Sequence, residues 1–348
     1  MSATVLARSL GAVLLLVLLC AGCGRDPLTK RESYVFGTRV EVLVWGAPET
    51  TAGTAADAVL REFDSLHRTY HAWQPSELTA LNDAIAAGRS IDVSPELAGF
   101  LRQSAALAAQ GGYLFDPGIG ALVQLWGFHD DTFAPKLPDA TKLAELRGHR
   151  PSIADLRIDG QRVSSRNRAV ALDFGGYLKG VALDRAATLL KAAGVRNALV
   201  NIGGNIMALG SKSGVPWRVG IQHPRGSGPL ASLDLHDGEA IGTSGDYQRY
   251  FEIDGRRYCH LIDPRSGMPA QGTEAVTILV PPGEAAGMRS DAASKPLFIA
   301  GGDWPAMARR LGLDQVLRVD AAGRVEITPA LKARVRFEVP DLVIEVRP

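Results

Sequence analysis

The sequence predicts an α+β fold carried by one large domain. Helical and strand patterns mix along the chain without the strand–helix rhythm of a doubly wound sheet. Of the 348 residues 46% are hydrophobic and 22% charged, a globular balance with ample chain for a core. No linker-like composition divides the chain beyond its N-terminal stretch. The 38 basic and 37 acidic residues leave a formal charge of +1, which gives no electrostatic footprint for nucleic acid, and three cysteines are too few for a disulfide scaffold.

Residues 1–22 read as an export signal. Arg8 precedes an apolar run over 10–19, broken only by Gly11, which is too short for a spanning helix of roughly 20 apolar residues. Cys20-Ala21-Gly22-Cys23 is nominally a C-x-x-C pair, but no second pair follows downstream. It reads better as a lipobox, with small Ala21 and Gly22 ahead of Cys23 as the lipidated residue and Cys20 where such boxes usually carry leucine. Residues 23–33 are then a polar, lipidated tether. Cleavage would leave Cys259 as the one possible free thiol, in a chain facing an oxidising compartment without a disulfide.

The domain itself is expected over residues 34–340. Residues 34–45 alternate apolar and polar as one strand does. Val59, Leu60, Phe63, Leu66 and Tyr70 fall on one face of a helix over 55–70. Ser94 as cap, Pro95 in the first turn and Glu96 against the dipole open a second helix, which Gly111-Gly112 stops. Residues 130–150, polar with Pro135, Pro138 and Gly148, read as an excursion between elements, and Asp159-Gly160 marks a hairpin. A third helix is expected over 178–193, ended by Gly194, followed by strands at 198–202, 217–221, 247–253 and 275–280. A helix over 285–300 is interrupted by Pro296, and a last hairpin over 316–327 turns at Ala322-Gly323.

Several chemical motifs are absent. None of the glycine clusters forms G-x-G-x-x-G after a strand or a P-loop. Asp173-Phe174-Gly175 lacks the accompanying kinase loop, Gly242-Thr243-Ser244-Gly245 is not a nucleophile elbow, and the seven histidines are too scattered for a His-based metal site. What remains is glycine-rich turns beside isolated Asp, Lys and His. Lys179, after Gly175-Gly176 and at the start of a helix, could meet an anion.

Taken in order, these clusters resemble the ApbE-type FAD:protein FMN transferases. The matching blocks include Phe36-Gly37-Thr38, Thr69-Tyr70, Gly111-Gly112-Tyr113-Leu114-Phe115-Asp116-Pro117 and Leu172-Asp173-Phe174-Gly175-Gly176-Tyr177-Leu178-Lys179-Gly180 with Asp184. They continue through Asn201-Ile202-Gly203-Gly204-Asn205, Thr243-Ser244-Gly245-Asp246-Tyr247, His260-Leu261-Ile262-Asp263-Pro264 and Ser290-Asp291-Ala292. The resemblance implies a fold similar to the tunnelling fold, a lipoprotein start, and transfer of FMN from FAD to a threonine hydroxyl of an acceptor subunit in a membrane electron-transfer complex, with AMP leaving. It implies FAD contacts at Phe36, Tyr70, Leu114, Phe115, Asp116, Asp173, Lys179, Tyr247 and His260, with His260 as the candidate base.

The resemblance also implies Mg²⁺, held by a backbone carbonyl at Gly176, by Asp291, and by a hydroxyl four residues after that aspartate. Here the last position is Lys295, and an ammonium cannot ligate Mg²⁺. Ser294 offers an oxygen one residue early, about 100° around the helix. Three outcomes stay open: a kink at Pro296 that turns Ser294 into place, Lys295 supplying part of the metal's charge, or a weakened site. Asn205 stands where the family commonly has Asp. Two other readings are an FAD pyrophosphatase giving FMN and AMP, and a flavin-binding maturation or electron-transfer module without turnover.

Overall fold

The computed structural model describes residues 28–347 apart from Asp131 and Phe133. The signal segment, Cys23 and the start of the tether lie outside the described residues. The chain enters through an antiparallel hairpin, β1 (Leu28–Val35) and β2 (Thr38–Trp45), in register Val35 opposite Thr38. The single strand expected over 34–45 is therefore two, because Phe36 and Gly37 form a turn with φ of 58° and 68°. Residues 28–33 belong to the sheet and not to the tether.

Three helices follow: α1 (Glu49–Thr69), α2 (Glu77–Ala86) and, after the short β3 (Ile91–Asp92), α3 (Pro95–Gln110). The α2 helix escapes the sequence pattern although Ser76 and Thr79 exchange both bonds of a capping box. The α3 helix starts as expected, with the Ser94 hydroxyl accepting from the Leu97 N–H at 3.0 Å. Next come α4 (Gly120–Leu125) and α5 (Ala140–His149). The excursion over 130–150 thus contains a helix, capped by Asp139, with no buried residue and so no apolar period to betray it. The expected hairpin at Gly160 is β4 (Leu156–Asp159) with β5 (Arg162–Ser165).

The second half supplies most of the strands. After α6 (Leu178–Ala192) come β6 (Asn197–Ile202), β7 (Asn205–Leu209), β8 (Trp217–Gln222), β9 (Pro229–Leu235) and β10 (Ala240–Gly245). A small hairpin, β11 (Tyr250–Ile253) and β12 (Arg256–Cys259), precedes β13 (Ile262–Asp263), β14 (Met268–Pro269) and β15 (Thr273–Val280). The chain ends through α7 (Ala286–Ala300), α8 (Trp304–Leu311), β16 (Val316–Asp320), β17 (Val325–Ile327), α9 (Pro329–Lys332), β18 (Val335–Phe337) and β19 (Ile344–Val346). Pro296 does not end α7.

Nine strands make one sheet in the order β1-β2-β6-β7-β10-β15-β16-β17-β19, antiparallel except for the last pair. Strand alternation sends one set of side chains to each face. Val40, Val42, Val200, Val276 and Ile278 meet Phe63 of α1, Leu183 of α6 and Leu297 of α7 in the main core. Ile241, Leu279, Leu317 and Val319 meet Trp217, Val219 and Leu233 on the other face, which the small sheet β18-β9-β8 covers. A third cluster stacks Trp126 and Phe128 on Phe251 of the small hairpin, at 6.4 and 5.7 Å between ring centroids. The helical layer and this hairpin bracket the candidate site.

Candidate active site

The site begins where α6 crosses α7. Neither helix has a side-chain cap of its own. Each caps the other. The Asp184 carboxylate, on α6, accepts from the Gly287 and Met288 N–H groups of α7 at 2.8 and 2.9 Å. The Asp291 carboxylate, on α7, accepts from the Gly180 N–H of α6 at 2.9 Å. Carboxylates at two helix N-termini answer both the unpaired N–H groups and the dipoles. Asp291 is wholly buried, and its other oxygen takes the Lys295 ammonium one turn along α7. That ammonium also donates to the Asp291 carbonyl at 2.7 Å. Burial pushes the Asp291 carboxyl up, and the Lys295 and Lys179 charges more than reverse this, holding it below the usual range. Burial draws Lys295 down to about 8 against the pull of Asp291, so at neutral pH the pair is an ammonium and a carboxylate.

The turn ahead of α6 lies against this pair. The Asp173 carboxylate accepts from the Gly175 N–H at 2.8 Å, and the Lys179 ammonium donates to the Gly175 carbonyl at 2.9 Å. A side chain at Gly176 would meet Lys295 Cε at 3.2 Å and the Phe115 ring at 3.3 Å, so the lysine stem passes close over the turn. Asn82 of α2 holds the segment by both backbone groups of Leu172, at 2.7 and 3.0 Å. Burial raises Asp173, while the Arg249, Lys179 and His71 charges oppose that rise.

His260, just past β12, faces the same cations. Its backbone N–H donates to the Arg249 carbonyl at 3.0 Å, and its Nδ1 lies 3.3 Å from that oxygen. A carbonyl only accepts, so this contact places the proton on Nδ1 and leaves the lone pair on Nε2. Burial, then the Arg249 and Lys179 charges, lower His260 to about 3, so the imidazole is neutral at pH 7. Arg249 was missed by sequence reading. Its guanidinium is aimed by the Phe128 and Asp130 carbonyls, at 3.0 and 2.9 Å, and no local spacing announces that. Lys179, Arg249 and Lys295 thus all act electrostatically on His260. Three cations and an unprotonated imidazole around a glycine turn suit a phosphate-bearing substrate and a hydroxyl that must lose its proton.

Other expected contacts fall elsewhere. Phe36 is half-buried and sets its ring edge-on to His67 at 5.5 Å. Tyr70 is buried in the main core, and its hydroxyl donates to Glu96 at 2.5 Å. Leu114 and Phe115 are buried in the main core, with Phe115 bordering Gly176. Asp116 is a structural knot, its carboxylate filled by the Gly118 and Ile153 N–H groups, both at 2.8 Å, and by the Ser152 hydroxyl at 2.5 Å. Tyr247 folds back over Gly245 and packs against the second core, with its hydroxyl raised to about 12 by burial and Asp246. A separate groove of about 610 Å³, lined by Val181, Asp184, Thr188 and Met288, shares no residue with the cation cluster.

The residues around Asp291 do not fit Mg²⁺. One carboxylate oxygen serves Gly180 and the other the Lys295 ammonium. The Ser294 hydroxyl turns away, donating to the Asp291 carbonyl at 2.8 Å and lying 2.8 Å from the Ser244 hydroxyl on β10, so Ser294 is not a third oxygen donor. Pro296 does not rotate it into place, because α7 runs on through the proline. Among the described residues Asn205 Nδ2 is buried without a partner, and that is an N–H donor rather than a cation ligand. Among the described residues no group of three or more His, Cys, Asp or Glu side chains is arranged to hold a metal ion.

Fold and site place the chain among known proteins. The ApbE family model matches residues 36–317. An FAD:protein FMN transferase of Rhodobacter capsulatus is 42% identical over 326 residues, covering 92% of this chain and 62% of that relative. Another, from Treponema pallidum, is 32% identical over 279 residues, with 75% and 77% covered. A crystal structure of the ApbE protein of Thermotoga maritima superimposes with a TM-score of 0.80 at 30% identity, covering 89% of this chain and all of that one. The apo flavinyl transferase ApbE of Pseudomonas stutzeri follows at 0.74 and 29%, covering 89% and 98%. The chain belongs to the ApbE family.

Proposed function

We propose that the protein is an FAD:protein FMN transferase acting on a threonine hydroxyl of an acceptor protein. The observation that carries this reading is His260, a neutral imidazole with its Nδ1 proton on the Arg249 carbonyl, set among Lys179, Arg249 and Lys295. The three cations bind the diphosphate of FAD and take up charge as it develops on phosphorus. The threonine oxygen attacks the FMN phosphorus while His260 Nε2 accepts its proton. The bridging P–O bond breaks, AMP leaves with the bridging oxygen, and a phosphoester joins FMN to the acceptor. Relatives named as FAD:protein FMN transferases support the same chemistry. The Mg²⁺ implied by the resemblance has no part in these steps, since Asp291 is already engaged.

The reading extends to a chain anchored by a lipid at Cys23 on a membrane facing the periplasm, with an acceptor subunit in a membrane electron-transfer complex. The apolar run over 10–19 and the small residues before Cys23 support the anchor. Incubation with FAD and a threonine-bearing acceptor domain tests the whole reading. The expected outcome is one AMP released per FMN mass gained by the acceptor. Free FMN with AMP and an unmodified acceptor would make it a pyrophosphatase, and intact bound FAD a flavin-holding module.

A further inference from the structure

We propose that the Lys295 ammonium is the resident cation of this site, holding the diphosphate of FAD where a divalent ion would otherwise act, so that the chain binds FAD without Mg²⁺. The inference rests on the flavin-transfer reading above. An ammonium has three donors. Two are engaged, on the Asp291 carbonyl at 2.7 Å and on its carboxylate. The third remains, and the side chain keeps 11% exposure at the edge of the Gly175–Gly176 turn. Lys179 grips the same turn through the Gly175 carbonyl at 2.9 Å. The Lys179 ammonium and the Lys295 stem therefore border one short turn, and both charges act on His260.

The alternative occupant would meet resistance at both side-chain ligands, Asp291 and Ser294. A divalent ion at Asp291 would have to expel the ammonium from a buried carboxylate whose second oxygen caps α6. Separating a buried ion pair leaves an uncompensated charge. The ion would find no hydroxyl to replace it, because Ser294 faces Ser244. Charge also balances without a metal. Lys295 neutralises Asp291, and Lys179 with Arg249 answers the two negative charges of a diphosphate diester.

Two titrations on the full-length protein in detergent test this, Mg²⁺ followed by calorimetry and FAD followed by flavin fluorescence. The native chain is expected to show no saturable Mg²⁺ binding and to hold FAD with the same Kd, within about twofold, in Mg²⁺ or in EDTA. Lys295→Thr, which frees Asp291 and adds an oxygen donor, is expected to gain a Mg²⁺ site and to need it for FAD. Lys295→Met is expected to lose about ten- to a hundredfold in FAD affinity under both conditions, the loss of one charge-assisted hydrogen bond. Stoichiometric Mg²⁺ binding by the native chain, with FAD affinity that collapses in EDTA, would overturn the inference alone. So would Lys295→Met holding FAD as tightly as the native chain. No FAD binding in either condition would overturn the transfer reading as well. The native arm stands even if a variant fails to fold.

Discussion

In the proposed transfer His260 can serve as a base because its surroundings keep it unprotonated. Burial and the neighbouring cations lower it from the ordinary imidazole value of 6.5 to about 3. As pH falls through that interval the unfolded chain takes up the proton first, so acidification costs stability through this residue, and His260→Gln removes that part of the slope. Activity has the same sign: protonation removes the base, so kcat/KM is expected to stay flat through pH 6–7, and a break there would show an ordinary solvated imidazole. His260→Gln is expected to lower kcat by about 10²- to 10⁴-fold with FAD affinity little changed, measured by AMP release and flavin fluorescence. Cys259 gives the opposite case. Buried, with its thiol pushed up to about 12, it is expected to resist thiol reagents in the native protein and to react with one equivalent once unfolded. Asp173, Lys179 and His260 stand out in the sequence as polar residues near glycine-containing turns, and Asp291 only through the family resemblance. Tyr70, Asp116 and Ser294 carry scaffold bonds that the motifs do not announce, because a motif records residue types without saying which side chains hold the scaffold. Arg249 was invisible because carbonyls more than a hundred residues upstream aim it.

At the scale of elements, the site depends on how closely α6, α7 and β10 approach. A side chain at Gly180 would meet the Gly287 carbonyl at 2.5 Å, and one at Gly287 would meet the Gly180 carbonyl at 2.7 Å. A side chain at Gly242 would fall on the Ser290 carbonyl beneath α7. All three clashes are with backbone, which no rotamer relieves. Gly242→Ala is therefore expected to cost more than about 3 kcal/mol and to push α7, with Asp291 and Lys295, off the sheet. Thermal melting together with FAD titration checks it: lowered Tm with FAD affinity intact would show that the crossing does not position the site. The same closeness explains which elements the sequence announced. Long amphipathic α1 and α3 show their apolar face, and α6 ends at a glycine as read. By contrast β10, Ala-Ile-Gly-Thr-Ser-Gly, is almost wholly buried under helices and opposite the small sheet, so it has glycines where a strand pattern needs Val or Ile. β7 is buried at every position and loses the period-2 signal in the same way.

For the whole molecule, the order of the large sheet decides how it comes apart. The N-terminal hairpin β1-β2 pairs with β6, the middle of the sheet is β7-β10-β15, and the far edge ends in β19, so one hydrogen-bonded sheet joins nearly the whole described chain. That order was not legible, because antiparallel partners such as β10 and β15 are brought together by the core and by no local spacing. Its two faces carry two cores that share those strands. Neither core keeps its floor when the other melts, so a single cooperative transition is expected, followed alike by circular dichroism and by tryptophan fluorescence; Trp217 reports the second core and Trp304 the first. In the proposed reaction FAD binds the folded cluster of Lys179, Arg249 and Lys295 beside His260, and these residues come from both sides of the crossing and from the two ends of the β11–β12 hairpin. Saturating FAD at about a hundred times its Kd is therefore expected to add about 2.7 kcal/mol and to move the whole transition upward as one. Two transitions, with only the later one shifted by FAD, would mean that the helical layer and the small sheet unfold separately. The site would then belong to the helical layer alone, and the second core would serve only to cover the back of the sheet.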